Sequence, residues 1–172
     1  MAGDRNHYEI ALSGWLVRNG VQAVSVDEAT RPWMNGCQLK NFDYLINGHS
    51  QVLALDLKGR QDRPWITRTD LFSMMSWQSL FGNKANCGFL FSFYTPKGED
   101  PKRLRELDAS LLHSPIGEYR LCILSIEDAQ RIARPRSKKW GTFDFDRAAF
   151  NRSAKPFFEF MVADGNLDSA VG

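Results

Sequence analysis

Residues 41–60 read NFDYLINGHSQVLALDLKGR, and the fold turns on how these side chains alternate. Asn47-Gly48 is the strongest short hairpin signal available. It joins a strand over about 39–46 to one over about 51–58, which makes the two antiparallel neighbours. Successive side chains of a strand point to opposite faces, so Asp56 and Lys58 share one face while Leu53, Leu55 and Leu57 take the other. On the partner strand Asp43 lies with Asn41 and Leu45, and Phe42, Tyr44 and Ile46 lie opposite. An Asp and a Lys at the end of so apolar a strand are costly unless they pair or line a cleft. Asp43 and Asp56 come close across the hairpin, and two close carboxylates repel unless a cation lies between them. A hard divalent ion with oxygen ligands, Mg²⁺, suits that place. The plainer alternative is a solvated Asp56–Lys58 ion pair. The leucines and the acid on the partner strand weigh against it.

Upstream, residues 6–18 carry Tyr8, Ala11, Leu12, Trp15 and Leu16 at helical spacing. Asn6 is an N-cap, and Glu9 three residues on completes a capping-box pattern. Residues 21–26 alternate as a strand, and 27–38 form a loop with turn signals at Pro32 and Asn35-Gly36. Downstream, 59–68 is a polar, basic loop leading to a helix over 70–81, capped by Thr69 and stopped by Gly82. In that helix Leu71, Met74, Met75 and Gln78 form one stripe, so a polar amide sits in the packed face and needs a partner. The run 87–94 (CGFLFSFY) is a strand covered on both faces. A short helix over 101–112, a strand over 119–126 and a helix over 127–132 follow. Residues 134–139 (RPRSKK) read as a basic linker, 140–145 as a strand and 146–160 as a helix, with disorder in the last ten. The division is a core domain over 1–133 and a C-terminal extension over 134–172 that packs on it. Mixed strand pairing flanked by helices defines an α/β sandwich.

Composition narrows the function classes. The net charge of +2 lacks the strong basic excess common in nucleic-acid binders, although charge can segregate in space. Most of the twelve Phe and five Trp residues are packing residues. Cys37, Cys87 and Cys122 are odd in number and far apart, which points away from disulfides and zinc and toward a reducing cytoplasm. No apolar run has signal-peptide or membrane-spanning length. His7, His49 and His113 stand alone, with no pattern of a metal or nucleophile site.

An acid, a hairpin, then apolar residues leading into (D/E)xK resembles the PD-(D/E)XK nuclease superfamily, which includes restriction endonucleases and archaeal Holliday-junction resolvases. Asp43 takes the first acid's place, with Phe42 where the signature has Pro, and Asp56 and Lys58 match (D/E)xK. Such enzymes often carry a Glu in the helix before the sheet, where Glu9 stands, and a Gln in the helix after the strand, where Gln78 stands. The likeness covers residues 8–94. The opening HYEIALSGWLVRNGV and the later WGTFDFDRAAF also resemble a bacterial group within the superfamily called HYAIV-type, which names no substrate.

The resemblance implies a restriction-endonuclease-like core, with a mixed central sheet flanked by helices, and a Mg²⁺-dependent endonuclease. Asp43 and Asp56 would bind the ion (Mn²⁺ as substitute), with the Leu57 carbonyl a third ligand. Glu9 is either an outer ligand or only a cap. Lys58 would orient water or stabilise phosphate charge. Gln78 would position Lys58 or contact the nucleic-acid backbone, or else serve a structural hydrogen bond. Arg60, Arg63 and Arg68 would hold phosphates or belong to a solvated loop. The partner is nucleic acid, DNA before RNA, and a homodimer would suit paired cuts in duplex. The alternatives are a catalytically silent nucleic-acid-binding or interaction module, a domain whose charges form structural ion pairs, and a metal-dependent hydrolase of another substrate.

Overall fold

The computed structural model describes residues 6–27, 29 and 31–161. Asn6 opens helix α1 (His7–Arg18) by accepting the Glu9 amide on its side chain. Strand β1 (Ala23–Ser25) follows. A small hairpin of β2 (Trp33–Met34) and β3 (Cys37–Gln38) then turns at Asn35 and Gly36, both at positive φ. The hairpin of 41–60 forms as β4 (Tyr44–Asn47) and β5 (Val52–Arg60), with Tyr44 opposite Leu55 and Ile46 opposite Leu53. Asn47 ends β4, and the turn is closed by the Gly48 amide on the Gln51 carbonyl.

Strand β6 (Trp65–Thr67) leads directly into α2 (Arg68–Phe81). The chain returns along β7 (Asn86–Pro96), parallel to β5. A 3₁₀ turn (Lys102–Glu106) precedes β8 (Ser110–Ser114), then β9 (Gly117–Ser125) and α3 (Ile126–Ile132). The remainder supplies β10 (Ala133–Ser137), β11 (Thr142–Phe145), α4 (Arg147–Ser153), β12 (Lys155–Pro156) and a 3₁₀ turn (Phe157–Phe160).

The central sheet runs β1-β4-β5-β7-β9-β12, with β8 also on β9. Strands β5 and β7 pair in parallel and the other described pairs are antiparallel, so the sheet is mixed. A second sheet, β10-β11-β6, lies beside it. Apolar residues pack on both faces. On one, Leu12, Trp15 and Leu16 of α1 bury against Tyr44, Ile46, Leu53 and Leu55. On the other, Ala54, Phe89, Phe91 and Phe93 meet Met74 of α2, Ala129 of α3, Phe150 of α4 and Phe145 of the second sheet. The alternation on β5 therefore sends Asp56 and Lys58 to the α2 face.

Several local expectations change. The expected loop 59–68 is the end of β5 plus β6, and the N-cap of α2 is Thr67 rather than Thr69. The expected helix over 101–112 is one 3₁₀ turn and an edge strand, because Ser110, Leu112 and Ser114 are better used pairing along β9. The helix expected over 146–160 ends at Ser153, and Lys155–Pro156 joins the central sheet. The basic stretch is strand β10, not a linker. Phe42 lies on the α2 face, stacked edge-on against Trp77, because residues 39–43 are not yet in the strand. The disorder expected in the last ten residues lies outside the described residues.

Candidate active site

Four charged side chains meet where β5 passes beneath the start of α2. Asp56 is 1% exposed and Lys58 7%. Lys58 Nζ stands 2.9 Å from Asp56 Oδ2 and 2.9 Å from Asp70 Oδ1. Lys40 Nζ stands 2.8 Å from that same Asp70 oxygen and 3.6 Å from Asp56 Oδ1. Two acids and two lysines thus alternate around a square, each beside two opposite charges.

The local sequence fixes both ends of this square. Asp70 is the third residue of α2, where its Oδ2 accepts the Thr67 amide while the Thr67 hydroxyl accepts the Asp70 amide, a reciprocal capping box. Lys40 is tied to the same helix by its backbone, its amide donating to Ser73 Oγ and its carbonyl accepting from Trp77 Nε1. Burial alone would raise the Asp70 pKa, but Lys58 and Lys40 outweigh it and hold the carboxyl below the usual range. Burial likewise opposes charge on Lys40, and Asp56 and Asp70 outweigh it and raise its pKa.

Asp56 is the unusual member. The lysine ammoniums approach it outside hydrogen-bond geometry, so neither oxygen of this buried carboxylate has a hydrogen-bond partner among the described residues. Buried polar atoms are normally bonded, and exceptions gather where a ligand or reaction uses them. Asp43 brackets Asp56 along the backbone. Its amide donates to the Leu55 carbonyl at 2.9 Å, and its Oδ2 accepts the Leu57 amide at 2.6 Å. The ladder between β4 and β5 ends at Tyr44, and the Asp43 carboxylate takes the next β5 amide in place of a strand partner.

The other expected site residues are placed less centrally. Gln78 sends its amide nitrogen to the Gly82 and Ala85 carbonyls and accepts the Cys87 amide, so it closes the end of α2 onto the start of β7. That structural hydrogen bonding replaces the expected contact with Lys58. Glu9 is half-buried on α1, which packs on the opposite face of the sheet, and its carboxylate has no hydrogen bond or ion pair among the described residues. Its neighbour Tyr8 reaches the end of β5, donating to the Arg60 carbonyl at 3.2 Å.

Arg60 spends its guanidinium inside the protein, on the Trp65 and Gly59 carbonyls and over the Trp65 ring at 3.9 Å. It is a strut, and the expected phosphate contact would have to break these bonds. Arg63 is exposed beside Asp144 at 3.7 Å, and Arg68 is exposed at the first turn of α2. Sequence reasoning missed Lys40 and Asp70 as site residues. The Thr67-x-x-Asp70 capping pattern was a signal for the second, and nothing local marks the first.

The square can hold an anion's oxygen through its lysines, or a cation at the Asp56 carboxylate if it displaces an ammonium there. Against a cation site built by side chains alone, no group of three or more His, Cys, Asp or Glu residues is placed to hold a metal among the described residues. Among these residues, too, no helix is long and apolar enough to cross a membrane.

The chain is an α/β fold, a mixed central sheet flanked by helices, with the Asp-x-Lys strand inside that sheet. The fold resembles the Holliday junction resolvase Hjc of the archaeal hyperthermophile Archaeoglobus fulgidus, with a TM-score of 0.52 over 88% of this chain and 95% of that one. The two share 12% sequence identity, so the likeness is one of fold. No family model matches the sequence, and no curated protein does.

Proposed function

We propose that the protein is a metal-dependent nuclease that hydrolyses phosphodiester bonds in nucleic acid, with DNA as its substrate. The observation that carries this reading is Asp56, 1% exposed, with Lys58 at 2.9 Å and no hydrogen bond on either oxygen from the described residues. Keeping such a carboxylate costs stability unless it serves a ligand. The resolvase-like fold supports a nuclease acting on DNA.

Asp56 and Asp43, with the Leu57 carbonyl, would hold Mg²⁺ or Mn²⁺, and Glu9, on the opposite face of the sheet, is left as a residue of the α1 cap. When bound, the ion supplies a Lewis acid and a bound water of lowered pKa. Lys58 donates to a non-bridging phosphate oxygen, whose charge grows in the transition state. Lys40, with 25% of its side chain exposed against 8% for Lys58, is the lysine that meets the arriving strand. Asp70 remains ionised and holds both ammoniums in place.

The test is cleavage of labelled linear, branched and single-stranded DNA and RNA with Mg²⁺ or Mn²⁺, beside Asp56→Ala and Lys58→Ala. Metal-dependent cutting that either change reduces by about 10²-fold or more is the expected result. Cutting that survives both changes would overturn it. One observation favours a second reading, a catalytically silent module: the two acids are already balanced by two lysines. In that case no substrate is cut, and metal leaves the melting temperature unchanged.

A further inference from the structure

Residues 134–140 carry Arg134, Arg136, Lys138, Lys139 and Trp140, all exposed, and the four cations exceed the whole net charge of +2. The rest of the chain is therefore not basic, and positive charge is concentrated on the β10–β11 hairpin. None of the four has an ion pair among the described residues. Trp140 at the tip is 72% exposed, and Lys139 Nζ lies 5.0 Å from its ring centroid. A large ring held in water beside unpaired cations has no packing role to explain it.

The hairpin is not a loose arm. Phe143 and Phe145 pack into the core on the α2 face, and β11 pairs with β6, Thr142 opposite Thr67 and Asp144 opposite Trp65. The tip returns at Gly141, at φ +56°, whose carbonyl accepts the Arg68 amide at 2.6 Å. Arg68 begins α2 and stands two residues before Asp70, which holds Lys58. The basic tip is therefore fixed on the Asp56–Lys58 side of the central sheet.

We propose that the β10–β11 hairpin is a nucleic-acid-binding arm for a strand with unpaired bases, its cations on successive phosphates and Trp140 stacked on a base. The substrate class this assigns is branched or single-stranded nucleic acid, and the assignment rests on the nuclease reading of the neighbouring site. Four cations suit a polyanion. An exposed indole suits an unstacked base, because every base presents a π-face, whereas bases inside an intact duplex are already stacked.

The test is fluorescence anisotropy in EDTA, so that binding is read without cleavage. The probes are a labelled single strand, the matching blunt duplex and that duplex with a single-stranded flap. Wild type should bind the strand and the flap more tightly than the blunt duplex. Trp140→Ala should lose about tenfold on the first two and little on the duplex, with recovery in Trp140→Phe. The double variant Lys138→Glu/Lys139→Glu should weaken every probe and lower the slope of log K against log salt by about 2. These side chains are exposed, so melting temperatures should match wild type, and that is checked first. Variants that bind as wild type would overturn the proposal. So would a Trp140→Ala loss equal on all three probes, or a self-associated protein that Trp140→Ala makes monomeric with DNA binding unchanged. Hairpin-dependent binding without metal-dependent cleavage would sink the nuclease reading alone, and Asp56-dependent cleavage with indifferent hairpin variants would sink the hairpin alone.

Discussion

Asp56 and Asp70 are both buried acids beside the same two lysines, yet they contribute differently to stability. Asp70 makes ion contacts of 2.8 and 2.9 Å and also accepts the Thr67 amide in the capping box. Asp56 has one close ammonium and, among the described residues, no hydrogen bond. Removing one partner of a buried pair costs about 3–5 kcal/mol, because the other charge is left uncompensated. Asp70→Asn strands two lysines and should fall in that range by denaturant unfolding. Asp56→Asn leaves both lysines on Asp70 with one positive charge uncompensated, and should cost less than Asp70→Asn, because Asp56 gives up one close ammonium and no capping bond. The same contrast sets a pH dependence. The depressed Asp70 pKa stabilises the native state above the unfolded-state pKa of about 3.9, and that stabilisation is lost as pH falls through the folded value. Lys40, with its pKa raised, stabilises below about pH 10.4 and loses this only as pH rises through its higher folded value. The gap between wild type and Asp70→Asn should therefore stay flat from about pH 5 to 9 and close below about pH 4. A gap that changes across the neutral range would mean that Asp70 is not the ionised centre of the square.

At the scale of elements, the hairpin and the Asp-x-Lys strand were legible because period-two alternation and a turn signal are local. The apolar face of α1 and the run CGFLFSFY were readable for the same reason. Lys40 and Asp70 were not, since their ion pair joins residues thirty apart that meet only after α2 docks. The choice between Thr67 and Thr69 as the cap rested on which carboxylate sits three residues on, and Asp70 answers it. The helix expected over 101–112 failed because Pro101, Leu104 and Leu107 satisfy helical spacing over a single turn, after which β9 offers a full edge to pair with. One close approach also escaped the pattern. A Cβ on Gly59 would stand 2.4 Å from the Tyr8 ring, so α1 sits on β5 through a missing side chain. Gly59→Ala should push Tyr8 away, break its bond to the Arg60 carbonyl and cost about 1–3 kcal/mol. Adding Tyr8→Ala should recover much of that loss, and a double variant no better than the single would show that the clash is not with this ring.

Taken whole, the molecule puts its apolar elements to work holding a small charged centre. The α2 layer, the second sheet and the central strands converge there, which is why Asp56 and Lys58 can be buried without unfolding the sheet. The square is neutral as it stands, and a divalent ion at Asp56 would add charge to a site that already holds two ammoniums. Binding therefore has to displace a lysine, and Lys40, at 3.6 Å from Asp56, is the looser of the two. A ligand that binds only the native state stabilises it by about 2.7 kcal/mol at a hundred times its dissociation constant. For a chain of this size each kcal/mol raises the melting temperature by about 2–4 °C. Saturating Mg²⁺ or Mn²⁺ should thus raise the wild-type melting temperature by roughly 5–10 °C and leave Asp56→Ala unmoved. Lys40→Met should retain the shift or enlarge it, since the competing ammonium is gone while Lys58 and Asp70 remain paired. A shift of equal size in Asp56→Ala would place the ion elsewhere, and no shift in any of the three proteins would leave the square as a structural ion-pair network at the heart of a silent module.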